Sequence, residues 1–225
     1  MGIYLRPLVT LFKSHADADI AVGMKQYMRN QFEFLGLKTP VRKELARQFL
    51  KEYGLPPKDI LASIIYELWQ MPEREFQYFA LELFRRFKKQ LEPDDVELIE
   101  YMIIHKSWWD TVDGIAPNLA GELFKRFPEM IPIQTTRWIR TDNIWLQRTA
   151  ILFQLKYKDK TDMELLFKII LTFKTSKEFF IQKAMGWALR EIAWRDAGVI
   201  QNFVCSHELP ALTKREALKN LRILN

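Results

Sequence analysis

His105 to Pro117 reads HKSWWDTVDGIAP, and its SWWDTVDG portion aligns with four other segments, REFQYFAL, IWLQRTAI, FFIQKAMG and LTKREALK. In that register Gln77, Asp110, Gln147, Gln182 and Arg215 form one column, at steps of 33, 37, 35 and 33 residues. A helix pair recurring at a nearly constant period marks a stacked helical array, somewhat shorter per unit than a HEAT repeat of ~40 residues. Identity between the units is weak, so an evenly spaced helical bundle is the alternative. The constancy of the period favours the array.

The rest of the chain agrees. Only eight glycines occur, β-branched alternation is nearly absent, and apolar residues recur at three and four residue spacing throughout, which is helical patterning. Helices are expected over Ala18 to Phe32, Pro40 to Tyr53, Pro57 to Gln70, Glu73 to Lys89, Pro93 to His105, Ser107 to Phe127 and Ile131 to Arg140. Asn143 to Tyr157, Asp162 to Phe173, Ser176 to Trp194, Ala197 to Ser206 and Thr213 to Leu224 complete the set. Start signals stand at Thr39, Ser107, Asp142 or Asn143, and Ser176. Pro117 removes the hydrogen bond to the carbonyl of Asp113 and should kink its helix. The expected architecture is all-α, a curved superhelical solenoid of HEAT-like antiparallel helix pairs with a concave face. With no linker or low-complexity tract, residues 1–225 are expected to form a single domain.

The chain has 225 residues with 48% hydrophobic content, enough for a full core. No run of ~18 apolar residues is present to span a bilayer. Gly2 is followed by Arg6 where a myristoylation signal has Ser or Thr, and the first apolar run is too short and interrupted for a signal peptide. A single cysteine, Cys205, excludes an intramolecular disulfide and a multi-cysteine metal cluster. These features point to a cytoplasmic protein. The formal charge is +6 and the sequence pI is about 9.3, a moderate bias toward polyanionic partners such as nucleic acid.

On a helix, Trp109 and Asp113 lie one turn apart on a single face. An indole beside a carboxylate suits a cationic ligand or a transition state that develops positive charge. Trp108 points about 100° away from Trp109 and is assigned to packing. Asp113 in a helix interior is neither a cap nor a good helix former, which argues for a role in chemistry. The chain carries no P-loop, dinucleotide fingerprint, HExxH, GxSxG or Cys/His cluster, so no cofactor and no metal are expected. What remains is a set of aromatic, acidic and basic residues on different units: Trp109 and Asp113, then Arg148, then Lys183, Trp187 and Arg190. Gly186 beside Trp187 suggests close approach of another backbone or a ligand. By repeat phase alone Trp109 and Asp113 fall on the opposite helix flank from Arg148 and Trp187, and would meet only across a curved groove.

Several segments closely resemble the AlkD family of bacterial alkylpurine DNA glycosylases: FLGLKTPVRKEL (Phe34 to Leu45), ELWQMPEREFQ (Glu67 to Gln77), KSWWDTVDGIAP, DNIWLQRTAILFQLKYK (Asp142 to Lys158) and SKEFFIQKAMGWALRE (Ser176 to Glu191). The resemblance covers nearly the whole chain. It implies a HEAT-like superhelix that wraps duplex DNA in its concave face and hydrolyses the N-glycosidic bond of N3- or N7-alkylated purines, as a monomer and without a small-molecule cofactor or a membrane. It further implies that Trp109, Asp113 and Trp187 form the catalytic cleft at the lesion's deoxyribose, with Arg148 at the DNA backbone there. Tyr27, Thr39 and Lys156 match positions near DNA, as does the pair Arg42-Lys43, in which Lys43 is a weaker match than a bidentate arginine. Lys183 and Arg190 join the expected DNA contacts, and a bacterial nucleoid-associated location follows.

In the implied reaction the alkylated purine leaves as a neutral base, and the difficulty moves to the oxocarbenium-like sugar. A carboxylate about 4 Å away at an effective dielectric of ~20 would contribute around 4 kcal/mol, and an indole face about 0.5–2 kcal/mol. Two other classes compete: a non-catalytic HEAT-like module that binds damaged or branched DNA, and a protein-interaction scaffold. Asp113, Trp109 and Trp187 argue for the enzyme.

Overall fold

The structure, a computed structural model, describes residues 2–219. They fall into two compact units, Met1–Gln90 and Leu91–Asn225. The first carries α1 (Leu5–Ser14), α2 (Ala18–Tyr27), α3 (Thr39–Tyr53), α4 (Lys58–Gln70) and α5 (Arg74–Arg86). The second carries α6 (Asp95–Ile104), α7 (Trp109–Ile115), α8 (Gly121–Arg126), α9 (Met130–Ile139), α10 (Ile144–Leu152), α11 (Met163–Thr172), α12 (Phe179–Ala193), α13 (Ala197–Ser206) and α14 (Ala211–Ala217). Among the described residues no strand forms, and β-type pairing is limited to an isolated bridge between Glu33 and Glu73. The all-α helical-repeat architecture expected from the sequence is the one observed. No helix of the described residues is long and apolar enough to cross a membrane.

In the second unit α7, α10, α12 and α14 pack in succession, separated in the chain by α8 and α9, by α11 and by α13. The repeat column has a physical basis here and in the first unit. Gln77, Gln147 and Gln182 each occupy the fourth position of their helices. Each donates from Nε2 to the carbonyl six residues earlier: Gln77 to Met71 at 2.9 Å, Gln147 to Thr141 at 2.6 Å and Gln182 to Ser176 at 2.8 Å. The amide side chain thus closes the turn that joins the two helices of a pair.

Several local expectations are corrected. α1 lies outside the expected set, although Leu5, Leu8, Val9 and Phe12 form its buried helical stripe and Pro7 sits in the first turn, where it is tolerated. The helix expected over Ala18 to Phe32 stops at Tyr27, because Arg29 and Asn30 turn to left-handed φ of 55° and 57° and the Asn30 N–H returns to the Lys25 carbonyl. The following loop is held by Glu75, a carboxylate with no exposure that accepts from the backbone N–H groups of Leu35, Gly36 and Leu37 at 3.0, 2.9 and 3.1 Å.

Of the start signals, Asn143 caps α10 through Oδ1, and Thr39 and Ser107 do not cap: Lys38 precedes α3 without a side-chain bond, and Ser107 Oγ donates to Ile103. Ser176 stands ahead of α12, whose cap position is Glu178. The irregularity expected at Pro117 takes the form of a π turn over Ala116–Ala120, in which the Gly121 N–H reaches back to the Ala116 carbonyl. The helices expected to run to Lys89 and Tyr157 end in 3-10 turns, Lys88–Gln90 and Phe153–Lys156. Of the helix expected over Thr213 to Leu224, residues 220–224 lie outside the described residues.

Truncating a column glutamine strands a turn carbonyl. Gln147→Ala or Gln182→Ala is expected to cost about 1–2 kcal/mol, and Gln77→Ala, whose buried amide also serves Leu68, about 2–3 kcal/mol. Urea unfolding midpoints measure this, and unchanged midpoints would make the column a coincidence of spacing.

Candidate active site

α7 sets Trp109 and Asp113 one turn apart and presents both to an open cavity of about 260 Å3 in the second unit. Arg148 reaches that cavity from α10, and α12 contributes Phe179, Phe180, Lys183, Trp187 and Arg190. Glu216 of α14 completes the lining.

At its centre is a fork. Arg148 Nε donates to Asp113 Oδ1 at 2.7 Å and Nη2 to Oδ2 at 2.9 Å, while Nη1 donates to the Phe180 carbonyl on α12. Arg148 is almost wholly buried, and the Asp113 side chain keeps 18% of its exposure, so the carboxylate is open on the cavity side and held on the other. Burial pushes the Asp113 carboxyl above its ordinary value; Arg148 opposes this by hydrogen bonding and by charge, and Asp110 adds to it. The residues that repeat phase set on opposite flanks meet directly, because the Arg148 side chain is long enough to span from α10 to α7. Three of its five donors serve Asp113 and Phe180.

Behind the cavity Trp108 packs on Trp145 and Phe180, with centroids 5.7 and 5.2 Å apart, the packing role assigned to it. On the α12–α14 side, Lys183 Nζ lies 3.0 Å from Glu216 Oε1, and Arg190 Nη1 donates to Glu216 Oε2 at 2.9 Å and to its carbonyl at 3.2 Å. Burial alone would push the Glu216 carboxyl up; the bonds and charges of Lys183 and Arg190 reverse this and hold it below the ordinary value. Gly186 makes the arrangement possible, since a Cβ there would stand 2.5 Å from Glu216 Cβ and 2.9 Å from the Thr213 carbonyl. The close approach expected at Gly186 is therefore that of α14.

Glu216, Phe179 and Phe180 escaped the sequence reading. The signal for Glu216 was present: one position after the repeat column come Arg148, Lys183 and Glu216 on three successive units, and all three line the cavity.

The DNA alkylation repair enzyme family model matches residues 8–221. A solved structure described as a predicted DNA alkylation repair enzyme from Enterococcus faecalis is 32% identical, with a TM-score of 0.84 over 92% of this chain and 96% of that one. The chain belongs to the DNA alkylation repair enzyme family. Its role is therefore in the repair of alkylated DNA. AlkD2 from Streptococcus mutans, at 19% identity and a TM-score of 0.60, covers 87% of this chain and 96% of its own. The solved structure of smu.31 from Streptococcus mutans UA159 covers 87% of this chain and 98% of its own at 18% identity and a TM-score of 0.60. These two show the fold. No curated protein matches the chain.

The other expected contacts of this family member lie apart from the cavity lining. Lys156 is exposed and donates to Asn118 Oδ1 at 2.7 Å. In the first unit Tyr27 is 71% exposed and lines a surface groove with Lys38 and Tyr78, and Thr39 and Lys43 are exposed. Arg42 departs from expectation: it is 8% exposed, its Nη1 lies 3.7 Å from Glu82, and its guanidinium sits 5.1 Å from the Tyr78 ring centroid. Burial lowers its pKa, against the pull of Glu82, Tyr78 and Glu75. Arg42 falls on the stripe of α3 that also buries Leu45, Ala46 and Phe49, so the basic pair shows Lys43 at the surface. Among the described residues no group of three or more His, Cys, Asp or Glu side chains could hold a metal ion.

Arg148→Gln leaves the buried Asp113 without its fork and is expected to cost about 3 kcal/mol of stability. Since the fork favours the charged carboxylate, its loss moves the protonation of Asp113 to higher pH. Arg148→Lys falls between, because an ammonium cannot serve both oxygens and the Phe180 carbonyl in one plane. Carbon-13 titration of the Asp113 carboxyl carbon reads the shift, and an unmoved titration would show the two groups to be uncoupled.

Proposed function

We propose that this protein is a monofunctional DNA glycosylase that hydrolyses the N-glycosidic bond of purines made cationic by N3 or N7 alkylation, such as 3-methyladenine and 7-methylguanine, in duplex DNA. The observation that carries this reading is the Asp113 carboxylate, oriented by the Arg148 fork and open to a cavity that also exposes Trp109 and Trp187. The deoxyribose of the lesion lodges at that carboxylate. The bond between C1′ and the purine nitrogen breaks, its electron pair stays on the base, and the base leaves neutral without a general acid. Water adds to C1′ and releases its proton to Asp113 or to solvent, leaving an abasic site.

Arg148 changes the energetics that a free carboxylate would have. At a dielectric of ~20, attraction of about 4 kcal/mol from a carboxylate ~4 Å from the sugar cation is opposed by about 2 kcal/mol from a guanidinium ~8 Å away. The net of about 2 kcal/mol corresponds to ~30-fold in rate. Indole faces of Trp109 and Trp187 add about 0.5–2 kcal/mol each where they meet the developing charge. In return the fork fixes one orientation of the carboxylate and favours its charged form, so little reorganisation is left for the moment of bond breaking.

The lining carries no neutral amide to read a purine edge, and Asp113, Arg148, Arg190 and Glu216 all bond to protein partners. Selectivity then rests on the lability of the charged nucleotide, and bulky adducts at N3 or N7 are accepted. Tyr27, Thr39, Lys43 and Lys156 are the proposed contacts to DNA away from the cavity.

Incubation with a duplex holding one 7-methylguanine should yield an alkali-labile site, and Asp113→Asn should slow single-turnover excision about 30-fold or more at a temperature well below the variant's own melting point. Binding without abasic-site formation would instead mark a non-catalytic module. Because ionised Asp113 is the active form and burial raises its pKa, the rate should fall as pH drops through a value above the ordinary carboxylate pKa of 3.8. An acidic limb at or below 3.8 would remove Asp113 from that role.

A further inference from the structure

We propose that Glu216 is a positioning residue that fixes Lys183 and Arg190 as a two-cation seat for a phosphodiester of the damaged strand. The inference rests on the reading of the cavity as the seat of the lesion's sugar.

Charge comes first. Asp113 and Arg148 cancel, whereas Lys183 and Arg190 share one carboxylate, so the α12–α14 side of the cavity holds one net positive charge. A phosphodiester carries one negative charge. Depth comes second: side-chain exposure rises from 11% for Glu216 to 22% for Arg190 and 37% for Lys183. The carboxylate lies beneath the cations, and the charge that reaches the opening is positive. Donor geometry comes third. Both bonds of Arg190 to Glu216 leave from Nη1, so among the described residues its Nε and Nη2 are left to face a ligand oxygen, and Lys183 uses one of three donors on Glu216. Two cations with donors to spare fit the two non-bridging oxygens of one phosphodiester.

Glu216 is not itself a ligand group in this scheme. Both of its oxygens are engaged, and the close approach of α14 to Gly186 sets its side chain beside the two cations. Its effect is to hold two long, flexible cations in one geometry, which would otherwise be lost to rotamer freedom on binding.

The test separates attraction from placement. Equilibrium binding of intact duplex and of duplex with a non-hydrolysable abasic-site analogue reads the seat without any excision; single-turnover excision of 7-methylguanine reads the alignment. Glu216→Gln keeps both cations, so binding of intact duplex should stay within about threefold of the parent. Preference for the analogue, and the saturating rate, should each fall about tenfold with a smaller change in half-saturating concentration. In a Lys183→Gln/Arg190→Gln background the Glu216→Gln change should add less than about twofold. Lys183→Gln alone should reduce the salt slope of binding by about one.

The proposal is overturned if Glu216→Gln leaves preference and rate unchanged, if both affinities fall together in step with a lowered melting temperature, or if its effect persists without the two cations. Should Glu216→Gln not fold, Lys183→Gln and Arg190→Gln decide, and unchanged salt slopes in both overturn the seat. If the parent protein excises nothing, the glycosylase reading fails, and the binding arms still decide the phosphate site.

Discussion

The second unit of this protein is organised around a single buried ion pair, the fork of Arg148 on Asp113. A carboxylate withdrawn from water must be paired or it takes up a proton, and pairing by a guanidinium satisfies both oxygens at once. The third contact, to the Phe180 carbonyl, makes the same side chain a tie between α7, α10 and α12. A lysine could supply the charge without that planar geometry. The pair is thus a stability element and a chemical one, and the two demands pull against each other. A stronger pair keeps the carboxylate charged and still but weakens its field at a neighbouring cation. The observed compromise leaves one side of Asp113 partly open and pairs the other.

The same logic is applied with a different sum on the α12–α14 side. There one carboxylate stands under two cations, so the local charge is positive where the Asp113–Arg148 pair is neutral. Gly186 is the enabling residue: with any side chain at that position Glu216 would be pushed away from Lys183 and Arg190. A helical interior glycine costs roughly 1 kcal/mol against alanine, and here that cost is the condition for the charge arrangement.

Much of the fold was legible in the sequence because repeats impose a phase that single residues report. The glutamine column located three turn-closing hydrogen bonds at the same offset of six residues, and the next column held Arg148, Lys183 and Glu216. Trp109 and Asp113 were legible from their spacing alone. What could not be read was direction. Arg42 and Arg148 are long side chains, and helical phase does not tell whether such a chain runs outward or folds into the protein; the structure buries both. α1 carried a helical stripe of Leu5, Leu8, Val9 and Phe12, but a short apolar run near a start is weighed first as a targeting signal. Left-handed φ at Arg29 and Asn30 ended α2 five residues early, because stopping a helix there depends on the loop that Glu75 clamps, forty residues away in sequence.

Irregularity near the carboxylate follows from the same sequence stretch. Pro117 has no N–H, so the carbonyl of Asp113 cannot receive its usual helical bond, and the chain responds with the π turn of Ala116–Ala120. Asn118 lies in that turn: its Nδ2 donates to the Gly114 carbonyl at 2.7 Å, and its Oδ1 accepts from Lys156. One amide therefore supports the backbone next to Asp113 and holds an exposed cation of a later segment. The proline distorts the helix one turn beyond the site, and Asn118 within the distorted turn carries the bond to Lys156.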